Sequence, residues 1–173
     1  LAHGNSPTGL LYGFSKSLVM LKKRYRDYFF IVAWEGGSAR RRSESERAVE
    51  DGLVPSSYKA NRESRQDQEE LESFFTQMQQ LKDEFLPAMR ILQVRVDGYE
   101  ADDVIYTYAR QNADLKGETI VVSSDKDFMV LLQYPTVFVY DAMKQETWTC
   151  HEFAAEFGFS LALWTGVGAI MGD

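Results

Sequence analysis

Apolar positions recur at helical spacing over residues 8–25, where Leu10, Leu11, Phe14, Leu18, Val19 and Leu21 fall on one face. Ser6 and Pro7 just before them supply a cap and a proline at a tolerated early position. Residues 28–34 (YFFIVAW) form a continuous apolar run closed by Glu35, Gly36 and Gly37, the pattern of a strand buried on both faces in a parallel sheet. Residues 36–65 are polar, charged and serine-rich without a strong period, and read as a mobile connection with some helix. Over residues 66–86 an amphipathic helix is predicted, its stripe made by Leu71, Phe74, Phe75, Met78, Leu81 and Phe85.

The second half alternates in the same way. A strand over 90–96 leads through Asp97 and Gly98 into a helix over 99–113, with Gly117 placed to end it. A buried strand over 119–123 (TIVVS) precedes a short helix over 126–132. Short strands over 137–140 and 146–149 flank a turn, and helices are expected over 152–157 and 160–171. Strands alternating with helices imply an α/β domain with a mostly parallel central sheet. Ligands of such sheets bind outside the carboxyl ends of the strands. Glu35, the acids of residues 100–103, and Asp125 with Asp127 all follow predicted strands, so one acidic edge is expected.

Composition narrows the class. At 173 residues, 45% hydrophobic and 13% aromatic, the chain fits one globular domain. No apolar run approaches the ~20 residues of a membrane-spanning helix, and no secretory signal is seen at the start. Cys150 is the single cysteine, and no Cys/His cluster suggests zinc, so a cytoplasmic setting is expected. A net charge of −7 runs against duplex binding driven by Lys and Arg. Its distribution matters more: Arg40, Arg41, Arg42, Arg47, Lys59, Arg62 and Arg65 crowd one stretch, while much of the acid sits in tight clusters elsewhere.

The first cluster is Glu100, Asp102 and Asp103 in GYEADD. Carboxylates this close repel one another unless a cation joins them; the alternative is a solvated helix start, where the macrodipole favours acids. The second is Asp125 and Asp127 in VVSSDKD, for which the alternative is Asp125 as a helix cap. Asp173 closes a final apolar segment. Taken together, these hard oxygen donors suit Mg²⁺ or Mn²⁺. Two such ions about 4 Å apart can activate water and stabilise a leaving oxygen at phosphorus. No serine or cysteine nucleophile constellation is present, and the only histidines are His3 and His151, the latter read as structural or exposed. Lys59 and Arg62 in YKANR could grip a phosphate or form an ordinary solvated run. The same holds for Arg40, Arg41 and Arg42, which Glu44, Glu46, Glu50 and Asp51 nearly offset.

YKANR, GYEADDVI, VVSSDKDF and GAIMGD, in this order, resemble the 5′–3′ exonuclease domain of bacterial DNA polymerase I and the phage flap endonucleases, which are PIN-like nucleases. The resemblance spans nearly the whole chain. It implies a single PIN-like core over 1–173, a three-layer α/β domain with helices flanking a mostly parallel sheet. Two Mg²⁺ or Mn²⁺ ions are implied, with Glu100, Asp102 and Asp103 in the first metal site and Asp125, Asp127 and Asp173 in the second. Lys59 and Arg62 match basic residues near the scissile phosphate under a flexible arch. Glu35 stands where the family usually has aspartate. Two family elements are expected to be lacking: an earlier strand with a further metal-site aspartate, and a later acid with a helical DNA-binding region.

The implied activity is metal-dependent, structure-specific 5′-nuclease cleavage of flap, nicked or primer-bearing DNA, and of RNA–DNA, in replication and repair. Contacts from Arg40, Arg41, Arg42, Lys59 and Arg62 would recognise phosphate and junction shape rather than bases. A monomer is expected, away from membranes, in the cytoplasm of a bacterium or phage-infected cell. One competing reading is a catalytically impaired module that grips branched DNA. Another is a haloacid-dehalogenase-like phosphatase, against which Phe128 counts, because that motif wants a small hydroxyl or branched residue there.

Overall fold

Helix α1 (Gly9–Arg24) follows the expected periodicity, and Lys22, Lys23 and Arg24 in its last turn complement the negative end of its dipole. The computed structural model describes residues 2–3, 6–7, 9–37 and 65–164. Ahead of α1, strands β1 (Ala2–His3) and β2 (Ser6–Pro7) pair antiparallel. Ser6 and Pro7 are therefore strand residues, not the cap and first turn of the helix.

The chain divides into two compact units, Leu1–Glu100 and Ala101–Asp173. In the first, β3 (Ile31–Trp34) and β4 (Leu92–Arg95) pair in parallel, from Ile31 opposite Leu92 to Trp34 opposite Arg95. β3 is shorter than the apolar run that predicts it and is not buried on both faces: Ile31 is 46% exposed and Phe29 94%. The connecting helix is α2 (Arg65–Gln80), which runs through a π-helical turn (Leu81–Phe85) into the short α3 (Leu86–Ala88). Leu18 of α1 packs with Leu81, Leu86 and Ile91, flanked by Phe30, Val32 and Trp34.

The predicted stripe on α2 is only partly used. Leu71, Phe74 and Phe75 are exposed, whereas Gln77 is 8% exposed. Its Oε1 accepts the amides of Leu10 and Leu11 at 3.0 and 3.1 Å. Amides in the first turn of a helix have no partner within it; α2 supplies one to α1. The same side chain's Nε2 donates to the Ser73 hydroxyl at 3.2 Å.

In the second unit, α4 (Ala101–Asp114) packs on β5 (Thr119–Val122) and on a 3₁₀ helix (Lys126–Gln133). β5 pairs in parallel with β6 (Val137–Asp141), which pairs antiparallel with β7 (Glu146–Trp148). The core here joins Ala109, Val121, Phe128, Leu131, Leu132, Val139 and Phe153. Helix α5 (Cys150–Phe157) opens on a capping box between Thr149 and Glu152 and closes on Gly158 at φ 73°. Gly117 does not supply the left-handed residue after α4; Lys116 does, at φ 59°. A Cβ at Gly117 would instead meet the end of the Asn112 side chain, which would have to shift to admit it.

The protein is α/β, with parallel pairing in both units. Among the described residues the hydrogen-bonded ladders are β3–β4 in the first unit and β5–β6–β7 in the second. No described helix is long and apolar enough to cross a membrane.

Candidate metal centre at the strand ends

Glu35 follows β3 directly and is exposed. The next residue makes the contact that fixes its place: Gly36 N–H donates to the Tyr99 carbonyl at 3.0 Å, and Gly98 N–H donates to the Gly36 carbonyl at 3.3 Å. A Cβ on Gly36 would lie 2.8 Å from the Tyr99 oxygen and closer still to the Val96 carbonyl. Gly98, at φ 84°, lets the chain turn there. Glu35 and Glu100 thus flank one backbone hydrogen-bonded pair inside the first unit.

Glu100, half-buried, comes immediately before α4, and Asp102 and Asp103 lie exposed in its first turn. Unpaired amides at a helix start favour negative charge at this point. Both readings open in the sequence, a solvated helix start and a cation-binding edge, are compatible with this placement.

In the second unit the β5–β6 ladder extends one bond beyond β5, with Ser123 N–H donating to the Tyr140 carbonyl at 3.1 Å. The chain then turns. Asp125 N–H donates to the Ser123 hydroxyl at 3.1 Å, and Asp125 Oδ1 accepts the Asp127 amide at 2.9 Å. Asp125 is therefore the cap of the 3₁₀ helix. Capping occupies one carboxylate oxygen and does not bar the other from a cation, since a carboxylate offers several acceptor sites. Asp125 and Asp127 are both exposed.

One acid escaped the sequence reading. Asp141, at the carboxyl end of β6, is only 6% exposed. Its Oδ1 accepts the Ser124 hydroxyl at 2.7 Å and the amides of Met143 and Lys144 at 2.9 and 3.2 Å. The Ser124 bond is the largest cause holding its pKa below the ordinary carboxylate value, and it and the two amides outweigh burial, which acts in the opposite direction. The rule that singled out Asp125, an acid closing an apolar strand, applies equally to VFVYD and would have found it.

Asp173, Lys59, Arg62, Arg40, Arg41 and Arg42 lie outside the described residues. His151 is exposed, and its amide donates to the Thr149 hydroxyl at 3.2 Å as part of the α5 cap. Among the described residues, no three His, Cys, Asp or Glu side chains converge closely enough to hold a metal ion. The donor chemistry, exposed carboxylate oxygens at strand ends, nonetheless fits a hard divalent cation.

Known proteins are similar to this chain in sequence and in fold. A bacterial DNA polymerase I from Chloroflexus aurantiacus is 32% identical over 126 residues, 73% of this chain and 12% of that protein. The polymerase I of Treponema pallidum is 32% identical over 151 residues, covering 83% of this chain and 13% of its own. A 5′-3′ exonuclease of Aquifex aeolicus is 27% identical over 168 residues, 96% of this chain and 52% of that one. The chain thus spans about an eighth of these polymerases and about half of the exonuclease. In fold it resembles the bacteriophage T5 flap endonuclease, solved as a pseudo-enzyme-product complex with DNA and metal ions. The TM-score is 0.72 at 18% identity, over 99% of this chain and 61% of that one. The T5 5′-exonuclease with zinc bound gives the same TM-score. The family described as 5′-3′ exonuclease, N-terminal resolvase-like domain, matches residues 2–158, and the chain belongs to it.

Proposed function

We propose that this chain is the metal-binding core of a structure-specific 5′-nuclease that hydrolyses phosphodiesters in flap, nicked or primer-bearing DNA and in RNA–DNA. The observation that carries the reading is the placement of acids just past parallel strands, Glu35 after β3 and Asp125 with Asp127 after β5. Glu100, Asp102 and Asp103 cluster where β4 gives way to α4. These residues, with Asp173, are the proposed ligands of two Mg²⁺ or Mn²⁺ ions. When bound, the ions would supply an activated water and charge stabilisation for the leaving oxygen.

The chain's own side chains do the rest. Lys59 and Arg62 hold the scissile phosphate and offset the charge that develops on it. Arg40, Arg41 and Arg42 add salt-sensitive attraction to the nucleic-acid backbone. The protein acts as a monomer in the cytoplasm on branched or nicked substrates, and this core is one part of the nuclease.

The test uses the full-length protein and a 5′-flap DNA in Mg²⁺. Asp125→Asn abolishes cleavage while DNA binding persists, and EDTA does the same to the wild type. Undiminished cutting by the variant, or in EDTA, overturns the reading. A second reading, a branched-DNA-binding module without hydrolysis, draws on the absence of a preassembled three-carboxylate group among the described residues and on glutamate at position 35. Tight flap binding by the wild type, with no cleavage in either Mg²⁺ or Mn²⁺, would establish it.

A further inference from the structure

We propose that Asp141 is a positioning residue for the acidic loop at residues 123–127, acting through the hydroxyl of Ser124. The inference rests on the metal-dependent reading above and adds a residue to it.

A buried carboxylate is costly unless fully hydrogen-bonded. At Asp141 that cost is offset by three donors converging on one oxygen. Two of them, the Met143 and Lys144 amides, belong to the turn between β6 and β7. That much is an ordinary aspartate turn, in which the side chain binds the backbone two and three residues on.

The third donor is not needed by the turn. Ser124 lies 17 residues earlier, past the end of the neighbouring parallel strand. Its bond is the shortest of the three, at 2.7 Å. The loop is therefore held from two directions: Ser123 receives the Asp125 amide, and Ser124 is anchored to Asp141. Between them they fix the backbone from which Asp125 and Asp127 project.

A carboxylate ligand loses affinity when the groups orienting it are removed, commonly by ten- to a hundredfold. Without the Asp141–Ser124 bond, the loop has to give up conformational freedom each time a cation binds. The cost then appears in metal affinity, beyond the modest loss of stability that follows from removing one of the three donors to Asp141.

The experiment measures Mn²⁺ binding by calorimetry, without DNA, together with the metal-free melting temperature of the full-length protein. Ser124→Ala raises the Mn²⁺ Kd about tenfold and lowers the metal-free melting temperature only slightly, since Asp141 keeps the Met143 and Lys144 amides. Asp141→Ala raises the Kd similarly and also lowers the melting temperature, because the turn loses its acceptor. Asp141→Asn, whose amide oxygen can accept the same three bonds, binds Mn²⁺ nearly as the wild type does. Should Asp141→Ala not fold, Ser124→Ala decides alone.

Wild-type Mn²⁺ affinity in Ser124→Ala, alongside loss of binding in Asp125→Asn, overturns this inference and leaves the nuclease reading standing. Wild-type affinity in Asp125→Asn as well overturns both.

Discussion

The amide of Gly36 donates to the carbonyl of Tyr99 at 3.0 Å, tying the residue after Glu35 to the residue before Glu100. Any side chain at position 36 would be driven into the carbonyls of Val96 and Tyr99. Backbone cannot yield as a flexible side chain can. Gly36→Ala should therefore destabilise by about 1–3 kcal/mol, the usual cost of overpacking. It should also weaken Mg²⁺-dependent cleavage by spreading Glu35 and Glu100. Urea unfolding and a Mg²⁺ titration of activity check the two effects separately.

Gln77 makes a different kind of test, because it concerns stability alone. Replacing it with Leu keeps the volume but leaves the Leu10 and Leu11 amides without their acceptor. The expected loss is about 1–3 kcal/mol, typical of stranding buried polar groups. Gln77→Glu retains an acceptor and should recover most of it. Denaturant midpoints at constant slope give the comparison.

Acid should act on Asp141 in a predictable direction. Its pKa is lowered on folding from an ordinary 3.8, so its charged form favours the folded state. That contribution is fully present above the unfolded value and is lost as pH falls through 3.8 toward the lower folded value. Asp141→Asn should flatten this part of the acid limb without affecting stability's pH dependence near neutrality. Melting temperatures measured from neutral pH down into the acid range show whether it does.

Arg62→Ala should lower kcat for flap cleavage by about a hundredfold, as removal of one preorganised transition-state donor commonly does. Flap affinity should change much less. Charge reversal at Arg40, Arg41 and Arg42 should do the opposite, weakening binding and reducing its salt dependence with little change in kcat. Single-turnover cleavage and binding measured across a salt series distinguish the two groups of residues.

Periodicity made most elements legible. The six-residue face of α1, the apolar runs at β3, β5 and β6, and the acids opening α4 all gave positions within a few residues of those observed. Patterns report which residues are apolar, not which partner covers them. Leu71, Phe74 and Phe75 read as a buried stripe but are exposed, while the polar Gln77 beside them is buried for its hydrogen bonds. Asp125 was legible as both cap and candidate ligand, and the structure shows the cap. Asp141 was legible as an acid closing an apolar strand, but its bond to Ser124 was not, because that contact depends on strand pairing. The apolar run at β3 overstated burial for a similar reason, since among the described residues its ladder holds two strands.

The wide turn at Leu81–Phe85 places Leu81 and Leu86 in one cluster, at 2% and 0% exposure, with the Leu86 amide bonded to the Leu81 carbonyl. In a regular α-helix, residues five apart are rotated by about 140° and could not share that side. The segment thus carries one residue more than a regular helix would need. Deleting a single amino acid between those leucines would let the turn close into a regular α-helix, in which they stand four apart and still share a side. An added residue, by contrast, would turn Leu86 away from Leu81 and carry the approach to Leu92 with it.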